Sequence, residues 1–353
     1  MVTMLDVSLR AGVSKATVSR VLNGTGQVKQ STRDAVFRAM DELGYRPNFL
    51  AQSLATNSSH SLGLVISNFD GPYFGRLLRQ AAKLAESSGK HLIVTDGHDT
   101  PEDELQAVHL LADRRCDAII LYTRFMSDSQ LMELLGTLST PLMVVNRALP
   151  DAPERCVYFE QQQSAFEATE FLIKQGHHHI ACITGPMRTP TAQARLAGYK
   201  AALAHHHLPF EPLRVAHGDS SVPSGYRGCK TLLESGVSFS ALFCCNDDMA
   251  IGAMKALHQA GIRLPQDLSL FGFDDEPSVA YLHPALSTVY LPIDAMIAAA
   301  IAQALRLIEG KPLSPIVPFT GELKLRESVL PGPFAKYRQE SGPQPESDQF
   351  QRQ

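Results

Sequence analysis

The 353-residue chain contains no tryptophan, no C-x-x-C pair and no apolar run approaching the roughly 20 residues that span a bilayer. The nearest run, MIAAAIAQALRLI at 296–308, is short and helix-like. The opening MVTMLDVSLRAGV has no basic segment followed by a continuous apolar stretch, so no secretory signal is read and a cytoplasmic protein without membrane contact is expected. Six cysteines at 116, 156, 182, 229, 244 and 245 are scattered, four of them in apolar strand-like runs, which predicts reduced and mostly buried thiols. Cys244 and Cys245 are poor bridging partners, because neighbours on a strand point to opposite faces. G-x-S-x-G, Walker A and G-x-G-x-x-G motifs are all missing, and GDSSVPSGY lacks the Lys-Ser/Thr ending of a phosphate loop. The histidine triplets at 177–179 and 205–207 lack the i,i+4 spacing of a metal-binding helix and read as solvated turns. No catalytic constellation, cofactor or metal is therefore expected, and an enzyme is the rival class.

One further absence is local. GVSKATVSRVLNG, residues 12–24, has Lys15 and Arg20 but no carboxylate, in a chain whose net charge is −4. Residues 1–58 hold seven Lys/Arg against four Asp/Glu, leaving 25 against 32 for the remainder. A small basic head on a larger acidic body predicts that only the head meets a polyanion. The head reads as three short helices. MLDVSLRAG puts Leu5 and Leu9 on one face with Gly12 as a stop, and Ser14 caps KATVSRVLNG. STRDAVFRAMDELGY follows, with Ser31 or Thr32 as cap, Val36, Met40 and Leu43 on one stripe, and Gly44 at its end. Helix, tight turn and second helix form a helix-turn-helix pattern, whose second helix enters a DNA major groove. Val18 and Leu22 turn inward, leaving Lys15, Ala16, Thr17, Ser19 and Arg20 for DNA. A surface that approaches phosphates cannot carry carboxylates. The alternative is a small helical domain with solvated cations.

TMLDVSLRAGVSKATVSRVLNG, ELGYRPN and AQSLA resemble the headpiece of the LacI/GalR family of bacterial transcription repressors, and the similarity runs to about residue 330. The resemblance implies a homodimer reading a near-palindromic operator in double-stranded DNA. Lys15, Ala16 and Thr17 match base-reading positions, and Ser14, Ser19, Arg20 and Asn23 match phosphate or mixed contacts. Residues 48–56 match a hinge helix in which Asn48 and Ala51 join the DNA contacts and Leu54 wedges into a minor-groove step. The expected divisions are headpiece 1–46, hinge and linker 47–59, an effector-binding and dimerisation body 60–335, and a disordered tail 336–353. The tail has no leucine heptad, which favours a dimer over a tetramer.

From Leu62 the chain alternates short apolar runs (LGLVIS, HLIVTD, AIILY, LMVVN) with amphipathic helical ones, and after CVYF the rhythm restarts with HIACIT, ALFCC and LSLFGFD. This predicts an α/β body of two parallel-sheet lobes with a ligand cleft between them. The resemblance implies a fold like periplasmic sugar-binding proteins, with crossings near 158–162, 287–292 and 319–322. Lobe one then takes 60–159 and 290–318, and lobe two 160–289 and 319–335.

Polar residues at strand ends are the ligand candidates. Asn246 and Asp274 match the family's ligand-bonding positions, as does Arg195, odd among small and apolar neighbours. Asp247 and Asp275 are open between helix capping and ligand contact. In the first lobe SNFDGPYFG offers Asn68, Asp70, Tyr73 and Phe74, and LYTRF offers Arg124. Carboxylate, amide and guanidinium together suit a sugar, whose hydroxyls donate and accept. Two departures stand out: Ser220 replaces an aromatic common in relatives, so Tyr73 or Phe74 would supply the stacking platform, and Glu160-Gln161 replaces a common Asp-Asn pair. RCDAIILYTRFMS, NDDMAIGAMKALH and RLAGYKAAL look most like the family's β-glucoside-responsive branch and next its galactose-responsive branch. A β-glucoside effector such as salicin, arbutin or cellobiose is expected, with galactose and a purine corepressor as alternatives.

Overall fold

The computed structural model describes residues 2–23, 26–46, 58–67, 69 and 71–333. The expected hinge positions Asn48, Ala51 and Leu54, the ligand candidates Asn68 and Asp70, and residues 334–353, which include the expected tail, lie outside these residues.

The head is three helices, α1 (Met4–Ala11), α2 (Lys15–Asn23) and α3 (Gln30–Leu43). Thr3 and Asp6 form a reciprocal cap on α1, and Gly12 and Gly44 end α1 and α3 in the left-handed conformation that glycine adopts without a Cβ penalty. Val7, Val18, Val21, Val36, Ala39 and Met40 make the core. Leu5 and Leu9 lie on a face turned outward, at 55% and 73% exposure, because Val7, with Met4 and Ala11 beside it, is what α1 packs on the core. One expectation fails here. The third helix starts two or three residues early, at Gln30 after Lys29, so neither Ser31 nor Thr32 caps it.

The body opens with a five-stranded parallel sheet ordered β2-β1-β3-β4-β5, built from β1 (Ser61–Ile66), β2 (His91–Asp96), β3 (Ala118–Tyr122), β4 (Leu142–Val145) and β5 (Cys156–Val157). Helices α4 (Gly71–Ser87), α5 (Pro101–Asp113) and α6 (Asp128–Thr137) connect its strands. The second lobe is a four-stranded parallel sheet ordered β7-β6-β8-β9, from β6 (Ile180–Thr184), β7 (Val215–His217), β8 (Ala241–Cys244) and β9 (Ser269–Phe271). Its helices are α7 (Gln161–Lys174), α8 (Pro190–His205), α9 (Val222–Glu234) and α10 (Asp247–Gln259). Strands β1, β3, β4, β6 and β8 are buried along their whole length, as covered parallel strands are. The chain returns through β10 (Thr288–Tyr290), α11 (Ile293–Ile308) and β11 (Glu322–Lys324), with β10 and β11 antiparallel. The apolar run at 296–308 belongs to α11, which packs on α4, β3, β4 and β5. Among the described residues no helix is long and apolar enough to cross a membrane.

Two features of the packing set the geometry of the strand ends. Helices α9 and α10 touch backbone to backbone: a Cβ on Gly252 would lie 2.0 Å from the Val222 carbonyl oxygen, and one on Gly225 would lie 2.1 Å from that of Met249. The N-termini of both helices are thereby held side by side. In the first lobe the buried Asp117 carboxylate accepts from Ser58 Oγ and Ser59 N–H, each at 2.8 Å, and from Lys90 Nζ at 2.6 Å. These donors hold its pKa below the ordinary value despite burial. Gly252→Ala should lower unfolding free energy by about 1–3 kcal/mol, the usual cost of forcing a methyl into a filled contact; urea denaturation of the full chain checks it, and unchanged stability would contradict the close approach.

Candidate functional site

On α2, Lys15, Ala16 and Arg20 are exposed and Thr17 and Ser19 half-buried, while Val18 is fully buried. Ser14 Oγ accepts from Thr17 N–H at 3.1 Å, starting the helix as expected. The side chain of Asn23 is outside the described residues. There is no acidic residue in the first turn, so Lys15 adjoins the positive helix end and no carboxylate of α2 offsets Lys15 or Arg20. Arg10 Nε on α1 bonds Glu42 on α3 at 2.6 Å, which pairs that carboxylate with a cation of the head itself.

Between the lobes lies a cavity of about 260 Å³. Tyr73, Phe74, Tyr122 and Arg124 line it from the first lobe, and Arg195, Asn246 and Asp274 from the second. Arg195 is the hub of the second-lobe wall. Its Nη2 donates to Asp274 Oδ1 at 2.9 Å, its Nε to Gln161 Oε1 at 2.8 Å, and its Nη1 to the Cys245 carbonyl. The guanidinium carbon sits 3.7 Å from the centre of the Phe273 ring. Gln161 continues the chain to Asn146 at 3.4 Å, and Asn146 Nδ2 donates to Thr191 Oγ1 at 3.2 Å, so hydrogen bonds run from the end of β4 into the second lobe. Opposite, Tyr73 and Phe74 meet Tyr122 edge to face, and the two tyrosine hydroxyls are 3.0 Å apart. One wall is thus aromatic and the other polar. That pairing suits a sugar, with one face apolar and hydroxyls on its rim.

A family profile described as bacterial regulatory proteins, lacI family, matches residues 3–48, and a periplasmic binding protein-like domain matches residues 169–329. The HTH-type transcriptional regulator AscG of Escherichia coli (strain K12) is 46% identical over 332 residues, covering 94% of this chain and 99% of AscG. The chain belongs to the LacI family of bacterial transcription regulators. Among solved structures, the lac repressor dimer bound to operator and the anti-inducer ONPF superimposes with a TM-score of 0.85 at 28% identity, over 93% of this chain and 99% of that one. The CelR–cellobiose complex matches at a TM-score of 0.69 and 28% identity, over 93% of this chain and all of the other. The fold expectation, a helix-turn-helix head on an α/β body of two parallel sheets, is met.

In this LacI-family chain the open choices at the acidic pairs resolve. Asn246 is the cap of α10, its Oδ1 accepting from Met249 N–H at 2.9 Å while its Nδ2 donates to the Ser220 carbonyl at 2.8 Å. Asp247 does not cap. It is fully buried, accepting from Thr288 Oγ1 at 2.7 Å and Glu276 N–H at 2.9 Å, and burial drives its pKa far up. Asp275 pairs with Arg326 at 2.6 Å. The aromatic absent at Ser220 has counterparts across the cleft in Tyr73, Phe74 and Tyr122. The histidine triplets are not plain solvated turns. His177 is 3% exposed, with Nδ1 at 2.9 Å from Ser240 Oγ and Nε2 at 2.9 Å from the Leu330 carbonyl. Glu170, His205 and His206 have ligand atoms within 4.8 Å of one another, and Glu170 is already bonded by Lys174 at 2.7 Å and His206 at 3.1 Å.

Sequence reasoning missed or undervalued four contributors. Tyr122 stood inside an apolar strand, and Gln161 was noted only as a departure from the family pair. Glu104, inside a helical run, is fully buried; it takes Thr123 Oγ1 at 2.6 Å and the N–H groups of Arg124 and Met126 at 2.7 and 3.1 Å, fixing the turn that carries Arg124. Glu276 was also unnamed. It is 6% exposed at the cleft wall, and burial together with Asp248 and Asp274 pushes its pKa up to about 8. Asp274 is likewise raised by burial, with Arg195 opposing the rise. A raised acid keeps its proton in the folded state after the unfolded chain has lost it, so Glu276 stabilises less as pH climbs from about 4.3 toward 8. Glu276→Gln should therefore gain thermal stability over the unsubstituted protein between pH 5 and pH 8, read by calorimetry without ligand; a difference independent of pH would contradict the shift.

Proposed function

We propose that this LacI-family regulator is a homodimeric repressor whose affinity for a near-palindromic operator is set by a small sugar in the interlobe cleft, with a β-glucoside as the favoured effector. The observation that carries the reading is the cleft itself: Arg195, held by Asp274 and Gln161, faces the Tyr73, Phe74 and Tyr122 wall. A guanidinium and a carboxylate fixed by each other present donors and acceptors in one rigid pattern, and the aromatic edge covers the apolar face of a pyranose. Lys15, Ala16 and Thr17 read bases; Ser14, Ser19, Arg20 and Asn23 hold the backbone; Asn48, Ala51 and Leu54 serve the minor groove. The regulator works in the cytoplasm and carries out no catalysis.

Sugar binding moves one lobe against the other and thereby changes the spacing of the two hinge segments. A coupling of about 1–3 kcal/mol suffices to change operator affinity roughly 5- to 150-fold. Release of DNA by sugar is the favoured sign. The CelR structure with cellobiose, a β-glucoside, supports the ligand class.

The test is a thermal-shift screen of the full chain against salicin, arbutin, cellobiose, galactose, hypoxanthine and guanine. A ligand at 100 times its Kd adds about 2.7 kcal/mol. A β-glucoside should shift the melting temperature, and Arg195→Ala or Asp274→Ala should abolish that shift while DNA selected from random duplexes still binds. Lys15→Ala should weaken DNA binding and leave the sugar shift intact. A shift with purines alone overturns the sugar reading.

A further inference from the structure

The cleft holds more carboxyl groups than its cations can pair. Asp219, Asp248, Asp274 and Glu276 line it against Arg124 and Arg195. Each nitrogen of Arg195 bonds a protein acceptor, Asp274, Gln161 or the Cys245 carbonyl, so its charge is matched within the protein while its remaining N–H groups can still serve a neutral ligand. Asp274 is thereby accounted for, but Glu276 is not. The backbone N–H of Tyr73 across the cleft favours its charged form, but Oε2 is buried and has no hydrogen-bond partner among the described residues. Arg76, the cation that acts on it from α4, is bound to Asp294 at 2.8 Å. A buried carboxyl oxygen left without a partner is costly, and in a native protein it calls for something that completes it. Here the side chain forms part of the wall of a ligand cleft.

We propose that Glu276 is a ligand contact that determines specificity: its carboxyl group takes a hydroxyl of an uncharged sugar and shuts the phosphate ester of the same sugar out of the cleft. This deepens the effector reading above and rests on it. A sugar hydroxyl completes the hydrogen bonding of either protonation form of the carboxyl, since it both donates and accepts. A phosphate dianion offers only acceptors to the wall of Asp248, Asp274 and Glu276, and whichever of these carboxyls is ionised repels it; among the described lining residues the cation left to oppose this is Arg124 of the opposite lobe. Neutral ligand and ester are thus separated by electrostatics at one wall, whichever sugar ring the aromatic wall accepts.

Isothermal titration of the full chain at pH 7.5 tests this with salicin, salicin 6-phosphate, D-galactose, galactose 6-phosphate and inorganic phosphate, on the unsubstituted protein, Glu276→Ala and Glu276→Gln. The neutral sugar that binds should outbind its own 6-phosphate by at least about tenfold, and Glu276→Ala should weaken the neutral sugar by about 10- to 100-fold, the range for a lost hydrogen bond to an ionisable group. Glu276→Gln, which keeps an acceptor and a donor of the same shape, should restore most of the loss, which a purely structural role for the carboxyl does not predict. Salicin or galactose binding equally to Glu276→Ala overturns the role of Glu276 and leaves the effector reading standing. Tighter binding of a 6-phosphate or of inorganic phosphate than of the neutral sugar overturns the exclusion. Binding of no sugar in any form defeats the effector reading itself.

Discussion

A single buried guanidinium organises the interlobe cleft. Arg195 reaches from α8 to the crossing segment through Gln161, to the end of β8 through the Cys245 carbonyl and to the loop after β9 through Asp274. A charged group 6% exposed is tolerable only with its donors satisfied, and all three directions are filled by parts of the chain far apart in sequence. The second-lobe wall is therefore preorganised before any ligand arrives. Its hydrogen-bonding groups already point where they are needed, so little ordering is left for binding to accomplish.

Around that hub the molecule separates its charges by task. Cations without carboxylates occupy the outer face of α2, while carboxylates concentrate at the cleft and are held against their ionisation preference by burial. The two regions are made of different structural material. The head relies on a small core of six buried hydrophobics and helix caps, and the body on strands buried on both faces.

The regular elements were legible where the chemistry is repetitive. Runs such as AIILY and ALFCC became fully buried strands because only covered parallel strands need to be apolar at every position. The strand β7 was not legible: three residues with one buried side chain leave no periodicity. At the site, Arg195 stood out as a charge among small apolar neighbours, whereas Glu104 and Glu276 looked like ordinary surface acids. Their role depends on donors 19 to 37 residues away in one case and on the lack of a donor in the other, and neither is written locally. The same holds for the Gly225 and Gly252 contact, where two helices approach so closely that only the folded geometry reveals the need for glycine.

The Asp117 clamp bears on how motion leaves the body. Ser58 and Ser59, the first described residues after the proposed hinge, are fastened to the carboxylate that also holds Lys90, so the chain's entry into the body is welded to the first lobe. No slack remains at that joint to absorb a displacement. A tilt of the first lobe carries the exit with it as a crank carries its pin, so the joint hands the movement on undiminished to the chain that leads toward the head.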